Sequence, residues 1–568
     1  MNKTTMIKSL KRVRLKLLFT IGLFVISYGL LATGCSNDAA EKKTVTFTNI
    51  AQDVGLDFQH GSFRWEMSGD PVAMMGSGLC WLDYDGDGWL DLYVVNSYAV
   101  LESGEWDRNG GKPESTLYRN ENGRFTNVGA ETGTNFPIRG NGCVAADLNL
   151  DGHTDIFITT SRVNLLLWNN GDGTFSEGAE LAGVNAYGWQ TAVSIGDLNG
   201  DSWPDIFVAG YVDINNQIEG ATMGFPNTNY GMRDLLYISE GPDENRQVSF
   251  REVGEAVGLE TAEFEYGLGS VFSDFDGDGD LDLYVANDTN PNRLYENRQL
   301  LSDPSNIGIR FDEIGAQSAT NDTNSGMGVA SGDMDGDGRS DLFVTNMGHQ
   351  LHSVYQNQSG TDVTFSDWAP TMGIPQIGAG WTGWGTSWAD FDLDSDLDLF
   401  VANGAIPVLD LEADKMQAQL FENLTAQEQA GQFSDWSQSA GIEGIGPILA
   451  RGSAVADFDN DGDLDIAINQ TGGELLLLEN EQQGGNWLMV DLGANASGAV
   501  VTAVLPDGTE LTREMLTGSS YLSSEDPRCH FGLGEFQRVS RLIITWPDQT
   551  ETVLRRVRSN QIISASNS

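Results

Sequence analysis

The sequence predicts an all-β fold: a seven-bladed β-propeller followed by a small C-terminal antiparallel β-domain. Three observations carry this. A nine-residue acidic loop occurs seven times in 568 residues. Each copy runs into a short apolar strand of the form Asp-[Leu/Ile]-[Tyr/Phe/Ala]-[Val/Ile]. Two further strand signatures follow each copy, and the second of them is missing from the last unit but present at the start of the repeat region. A chain this long exceeds one ordinary domain unless it is built from repeats.

The first loop is Asp83-Tyr84-Asp85-Gly86-Asp87-Gly88-Trp89-Leu90-Asp91, with acids at positions 1, 3, 5 and 9. Gly at position 6 allows the sharp turn that aims the first carboxylates inward. The second copy offers Asp147, Asn149, Asp151 and Asp155, and the third Asp197, Asn199, Asp201 and Asp205. The fourth offers Asp274, Asp276, Asp278 and Asp282, and the fifth Asp333, Asp335, Asp337 and Asp341. The sixth offers Asp390, Asp392, Asp394 and Asp398, and the seventh Asp457, Asp459, Asp461 and Asp465. Copies three and six carry Ser202 and Ser395 at position 6, where a non-glycine turn is strained. The spacing matches the front half of an EF-hand loop, without its Glu at position 12 and without flanking helices. Hard cations take six to eight oxygens, so these residues are read as ligands of about seven Ca²⁺ ions. The competing reading is a set of acidic surface turns that hold no ion.

The unit between loops repeats at intervals of 50 to 77 residues. After the loop strand comes Leu117-Tyr118-Arg119-Asn120 or a variant of it, ending at Asn169, Asn297, Asn357, Asn423 and Asn480 in other units; the third unit has Leu236-Tyr237 without the Asn. Then comes a strand led by Phe125, Phe175, Phe250, Phe311, Phe365 or Phe433. Four short strands per unit are the content of a propeller blade. The seventh Phe strand stands at the N-terminal end, at Val45-Thr46-Phe47-Thr48-Asn49, so it is expected to complete the last blade and close the ring. Closure protects the sheet edges that a linear array would leave open. The strand entering each loop is Gly-rich, as expected where strands converge on an axis. Arg139, Tyr187, Trp189, Tyr266, Trp381, Trp384 and Arg451 lie beside these glycines. They are read either as packing between blades or as a ligand platform ringing the mouth of a central channel.

The net charge is −51. Such a surface repels phosphate backbones and anionic headgroups, which excludes a nucleic-acid partner. Residues 1–34 carry Lys3, Lys8, Lys11, Arg12, Arg14 and Lys16, no acid, and an apolar run from Leu17 to Leu31. This is a secretory signal rather than part of the fold. Leu31-Ala32-Thr33-Gly34-Cys35 resembles the bacterial lipobox, which implies lipidation of Cys35. A single membrane-spanning anchor and ordinary signal cleavage are the alternatives. Ser36 after the cysteine resembles an outer-membrane address, periplasmic or surface-facing, and residues 35–44 read as a lipidated tether. Outside the cytoplasm Ca²⁺ is near millimolar, so even sites with Kd of about 10⁻⁴–10⁻³ M are filled.

The repeats occupy 45–482. From 486 to 568 the pattern alternates with period two, with Pro506-Asp507-Gly508 as a hairpin turn. Here Asn486-Trp487-Leu488, Gly518-Ser519-Ser520-Tyr521-Leu522-Ser523, His530-Phe531-Gly532-Leu533-Gly534 and Ile544-Thr545-Trp546-Pro547 resemble the ASPIC/UnbV domain. The loops resemble FG-GAP (VCBS-type) repeats. Together they are similar to the family of bacterial relatives of cartilage acidic protein. The resemblance implies a seven-bladed propeller with calcium loops and surface or secreted placement. Two turns depart from the family pattern: Gly493–Gly498 is shorter, and Pro547-Asp548-Gln549 replaces Pro-Ser-Gly.

Catalytic signatures are absent from the sequence: it holds no nucleophile elbow, P-loop, HExxH or Rossmann fingerprint. No catalytic residue is assigned. Cys80 and Cys143 occupy equivalent places in neighbouring units and are read either as a disulfide or as two small core residues; Cys529 is left over. His349 and His352 read as a solvated turn ahead of a transition-metal pair. The function expected is a calcium-binding, lipid-anchored envelope protein that binds an extracellular glycan or protein, touching the membrane through its lipid alone. The alternatives are a carbohydrate-active enzyme such as a polysaccharide lyase, with Arg139, Tyr266 and Arg451 as its only base candidates, and a structural envelope scaffold.

Overall fold

In the computed structural model the chain divides into two compact units, residues 1–43 and 44–568. The structure describes residues 45–259, 265–300, 307–360, 362–374, 376–427, 429–482, 484–493 and 496–566. The expected secretory signal, the expected lipidation site Cys35 and the expected tether lie outside the described residues. Among the described residues no helix is long and apolar enough to cross a membrane.

Seven four-stranded antiparallel sheets make the repeat region. Blade 1 is built from Leu79–Leu82, Asp91–Val94, Thr116–Asn120 and Phe125–Asn127, in that order from the inside. Blades 2 (140–177), 3 (190–252), 4 (267–313), 5 (329–367) and 6 (383–435) repeat the plan. Blade 7 takes its first three strands from 450–480 and its outermost strand from Phe47–Asn49. Phe47 pairs with Asn480 as Phe125 pairs with Asn120. The displaced N-terminal strand therefore occupies the place that the repeat pattern predicts for it.

The acidic loops are the hairpin connections between first and second strands. Leu82 pairs with Asp91, Ser273 with Asp282, Ala389 with Asp398 and Ala456 with Asp465. The position-9 acid is thus the first residue of a buried β-strand whose apolar, β-branched and aromatic residues suit a sheet covered on both faces. Blades stack through these faces. Trp81, Leu92 and Phe125 of blade 1 share one cluster with Phe458, Ala467 and Leu477 of blade 7. Burying each such Phe stabilises the stack by about 2 kcal/mol.

The C-terminal strands form two sheets. One is Glu510–Glu514, Val500–Val504, Arg538–Thr545 and Glu551–Arg558. The other is Cys529–Gly534, Asn486–Asp491 and Ile562–Ser564, and its last pair is parallel, so this region is not wholly antiparallel as expected. Leu488, Val501, Phe531, Leu542 and Trp546 fill the core between them.

The axis of the ring holds the segment from Glu514 to Asp526. Thr517 O accepts from Ile195 N of blade 3, and Leu522 O from Cys143 N of blade 2. Ser520 and Val329 of blade 5 exchange two backbone bonds, at 2.7 and 2.9 Å. Ser520 Oγ accepts from Thr386 N of blade 6 and donates to Ser453 O of blade 7. Ser524 and blade 1 exchange bonds through Leu79 O and Trp81 N. Glu514 accepts from Asp274 N of blade 4. Every blade is thus bonded to one stretch of the C-terminal domain.

Candidate metal centres

Each loop is folded by its own carboxylates. In blade 1, Asp83 Oδ1 accepts from Gly86 N and Asp87 N, and Oδ2 from Gly88 N. Asp333 does the same with Gly336, Asp337 and Gly338. The turn needs two left-handed residues, not one. Position 6 has φ from +70° to +99° in all seven copies, including Ser202 and Ser395. Position 4 is also left-handed in all seven, although Leu150, Leu393 and Asn460 stand there in blades 2, 6 and 7. Each non-glycine residue held so is strained by about 1 kcal/mol.

The position-9 acid ties the loop to the rest of the blade. Asp91 Oδ2 accepts from Tyr84 N and Oδ1 from Asn120 N, and Asp341 repeats this with Met334 N and Asn357 N. These bonds aim the acids of positions 1, 3 and 9 at one point. In blades 1, 4, 5, 6 and 7 one oxygen of each acid falls within 4.8 Å of the other two: Asp83, Asp85 and Asp91; Asp274, Asp276 and Asp282; Asp333, Asp335 and Asp341; Asp390, Asp392 and Asp398; Asp457, Asp459 and Asp465. In blades 2 and 3 position 3 holds the amide of Asn149 or Asn199, whose oxygen accepts from Asp151 N or Asp201 N. Position-5 acids stand outside these triads, and they also brace the turn; Asp87 Oδ1 accepts from Trp89 N.

Burial, then the neighbouring carboxylates, pushes these acids upward. Asp91, Asp341 and Asp457 rise to about 8, and Asp274, Asp333 and Asp459 to about 6. Asp155, Asp205, Asp282, Asp398 and Asp465 are pushed well above the usual carboxylate range. Clustered hard oxygens that resist ionisation together form a donor set that can hold a hard divalent cation. Loops 4, 6 and 7 carry a further acid at position 7, Asp280, Asp396 and Asp463, which the repeat pattern does not predict. Asp396 Oδ2 accepts from Ala426 N and Asp463 Oδ2 from Gln482 N, so these two brace their blades.

An FG-GAP-like repeat model matches residues 83–158, 147–208, 274–344 and 333–401, and an ASPIC and UnbV model matches 492–568. Cartilage acidic protein 1 of Xenopus tropicalis is 26% identical over 514 residues, covering 84% of this chain and 71% of its own. The chain is an FG-GAP repeat relative of cartilage acidic protein 1. The Homo sapiens protein of that name is 25% identical over 448 residues, 74% of this chain and 62% of that one. Among solved structures, the V. cholerae biofilm matrix protein Bap1 is 11% identical with a TM-score of 0.31, covering 91% of this chain and 71% of that chain.

One feature of this FG-GAP relative escapes the loop pattern. In six of the blades the Asn that ends the third strand reaches back into the preceding blade. Asn120 Nδ2 donates to Leu90 O of its own loop and to Phe458 O of the blade 7 loop. Asn169 reaches Tyr84 O, Asn297 Leu198 O, Asn357 Phe275 O, Asn423 Met334 O and Asn480 Phe391 O. Blade 3 has Ser239 at this place, and no such bond to blade 2 is made among the described residues. Asn357→Ala leaves two buried carbonyls without their donors, which costs roughly 2–4 kcal/mol. A fall of several degrees in the thermal midpoint is expected; a shift within error would show that the clasp adds nothing.

The suggested ligand platform is not one surface. Trp189, Tyr266, Trp384 and Arg451 are fully buried, in one cluster with Tyr521, Leu522 and the short helix Pro71–Met75. Arg451 lies 4.0 Å over the Trp384 ring and donates to Met74 O, Ala450 O and Ala405 O. Arg139 pairs with Asp70 at 2.5 Å. Trp381 is half-buried, and Tyr187 is 64% exposed. Trp189, Tyr266 and Trp384 pack against the C-terminal segment and the short helix, which fill the axis. This removes Tyr266 and Arg451 as bases for a lyase. His352 is buried rather than part of a solvated turn; Asn346 N donates to its Nδ1, and burial pushes it down to about 3, while His349 is exposed. Cys80 and Cys143 form a disulfide between the innermost strands of blades 1 and 2, and Cys529 is free and buried.

Proposed function

We propose that this chain is an exported, lipid-anchored binding module of the cell envelope, held in shape by about seven Ca²⁺ ions. The observation that carries the calcium reading is the convergence of three carboxylates in five loops built on one plan. Asp83, Asp85 and Asp91 hold the ion in blade 1, and the corresponding residues do so elsewhere, with Asn149 and Asn199 supplying amide oxygens in blades 2 and 3. The ion neutralises charge that burial otherwise keeps from ionising, and so lets the hairpin turns close. Export rests on residues 1–35, where a basic segment and an apolar run end at Cys35. Kinship with cartilage acidic protein 1 favours binding over catalysis, and none of the aligned acids is left for acid–base work.

Two readouts test this together. The protein isolated from membranes is expected to begin at lipid-bearing Cys35 by intact mass and to carry about seven Ca²⁺ by elemental analysis. Calcium-loaded protein is expected to be retained on a printed glycan array or on immobilised collagen or fibronectin, and released by chelator. Retention on neither surface sinks the binding reading, and a metal count near zero sinks the calcium reading.

A further inference from the structure

Two segments outside the blade pattern meet beside blade 1: residues 57–70 and the connection 96–115. Glu102 staples them. Its buried carboxylate accepts from Phe63 N at 2.8 Å, Trp65 N at 2.6 Å and Glu66 N at 3.2 Å. A second staple joins the same segments, as Asp70 Oδ2 accepts from Val100 N. Between them lies an open groove of about 660 Å³. Its wall is a tryptophan pair: Trp65, 41% exposed, meets Trp106 edge-on at 4.4 Å between centroids. The Trp106 indole N–H is buried and has no partner among the described residues. Arg64, Asp57, Glu114 and Asn135 line the rest. One oxygen of Asp57 accepts from Tyr118 OH, and one of Glu114 from Asn135 Nδ2; the other oxygen of each has no partner among the described residues.

We infer that this groove is a binding site for a neutral glycan. The inference rests on the reading of the chain as a binding module and names its ligand class. Three features select that class. An exposed indole face fits the C–H face of a pyranose ring, and sites of this size take small ligands. Carboxylates that only accept, beside a guanidinium and an amide that donate, satisfy hydroxyls, which do both. An anionic ligand meets Asp57, Glu114 and a chain of net charge −51, and Arg64 offsets part of the negative charge that would otherwise select a cation. The stapled walls are ordered before the ligand arrives, which lowers the ordering penalty of binding.

The test is titration calorimetry of the calcium-saturated full chain with neutral trisaccharides of the cello, malto, manno, xylo, galacto and chito series. At least one is expected to bind, and Trp65→Ala to weaken it at least about tenfold, as truncating an aromatic anchor does. Arg64→Ala, at an exposed position, is expected to weaken the same sugar without moving the thermal midpoint. Tyr187→Ala, an exposed aromatic change outside the groove, is expected to leave binding unchanged. Binding that survives Trp65→Ala, or that is lost in Tyr187→Ala instead, overturns the groove and leaves the module standing. A wild-type chain that takes up none of the trisaccharides overturns the glycan assignment, while retention on the protein surfaces above keeps the module.

Discussion

Chelating divalent cations is expected to lower the thermal midpoint of the chain by many degrees, and to do so more at pH 8 than at pH 5. The metal-free loops press buried carboxylates together, and Asp91, Asp341 and Asp457 are driven up to about 8. A carboxyl whose pKa is higher folded than unfolded binds more protons in the folded chain. Stability then falls as pH rises from the unfolded value near 4 to the folded value near 8. Each such group, shifted by about four units, removes roughly 5 kcal/mol across that window unless a cation takes the place of the proton. Calcium reverses the trend, because its ligands must be ionised to bind. Differential scanning calorimetry with calcium and with chelator, at pH 5 and pH 8, reads both effects. A metal-free midpoint that rises with pH, or equal midpoints with and without calcium, would falsify the loop argument and leave the ring to its apolar faces alone.

Substituting Gly518 with Ala is expected to loosen the entire ring, not only the C-terminal domain. Gly518 has φ +90°, and a Cβ there would run into the backbone carbonyl of Val193 in blade 3. Neither atom belongs to a flexible side chain, so the segment has to withdraw. The strain and lost contacts amount to roughly 3 kcal/mol or more. The bonds of Ser520 and Leu522 to blades 2, 5, 6 and 7 depend on the same path. Limited proteolysis is expected to cut both the propeller and the C-terminal domain faster in the variant. Cleavage confined to residues beyond 486 would show that the two parts fold independently. Gly508→Ala, at a left-handed turn with open space around it, is the control for strain without collision.

Much of this architecture is legible in the sequence because it depends on local chemistry. The acids of positions 1, 3 and 9 announce their loops, and Phe47 announces its blade by standing where no blade of its own precedes it. What stayed hidden depends on partners without side-chain signatures. The Asn clasps end on backbone carbonyls of the neighbouring blade, so Asn120 reads as a strand terminus and nothing in Phe458 hints at the bond. The left-handed residue at position 4 is masked because Leu150 and Leu393 adopt it under the pull of the loop's own hydrogen bonds. Gly518–Ser523 carries the family resemblance, but nothing in it says where it lies; on the axis, the Ser520 hydroxyl meets the N–H of Thr386 and the carbonyl of Ser453. The aromatic residues around that axis were visible, but what covers them comes from the far end of the chain.

Closing blade 7 with Phe47–Asn49 also dictates an order of events during synthesis. The strand that must seal the ring emerges first, and its partner strand comes more than four hundred residues later; Thr48 and Glu481 are 433 positions apart. Until then the early strand has no mate and blade 7 cannot form, and the axial segment arrives later still. A chain stopped short before Asn480 therefore leaves blade 7 incomplete and uncovers the apolar faces that blade 7 buries against blades 6 and 1, at the moment when it is most exposed to its neighbours. Such closure makes completion of synthesis itself a condition for a sealed molecule, and marks truncated products for aggregation or proteolysis.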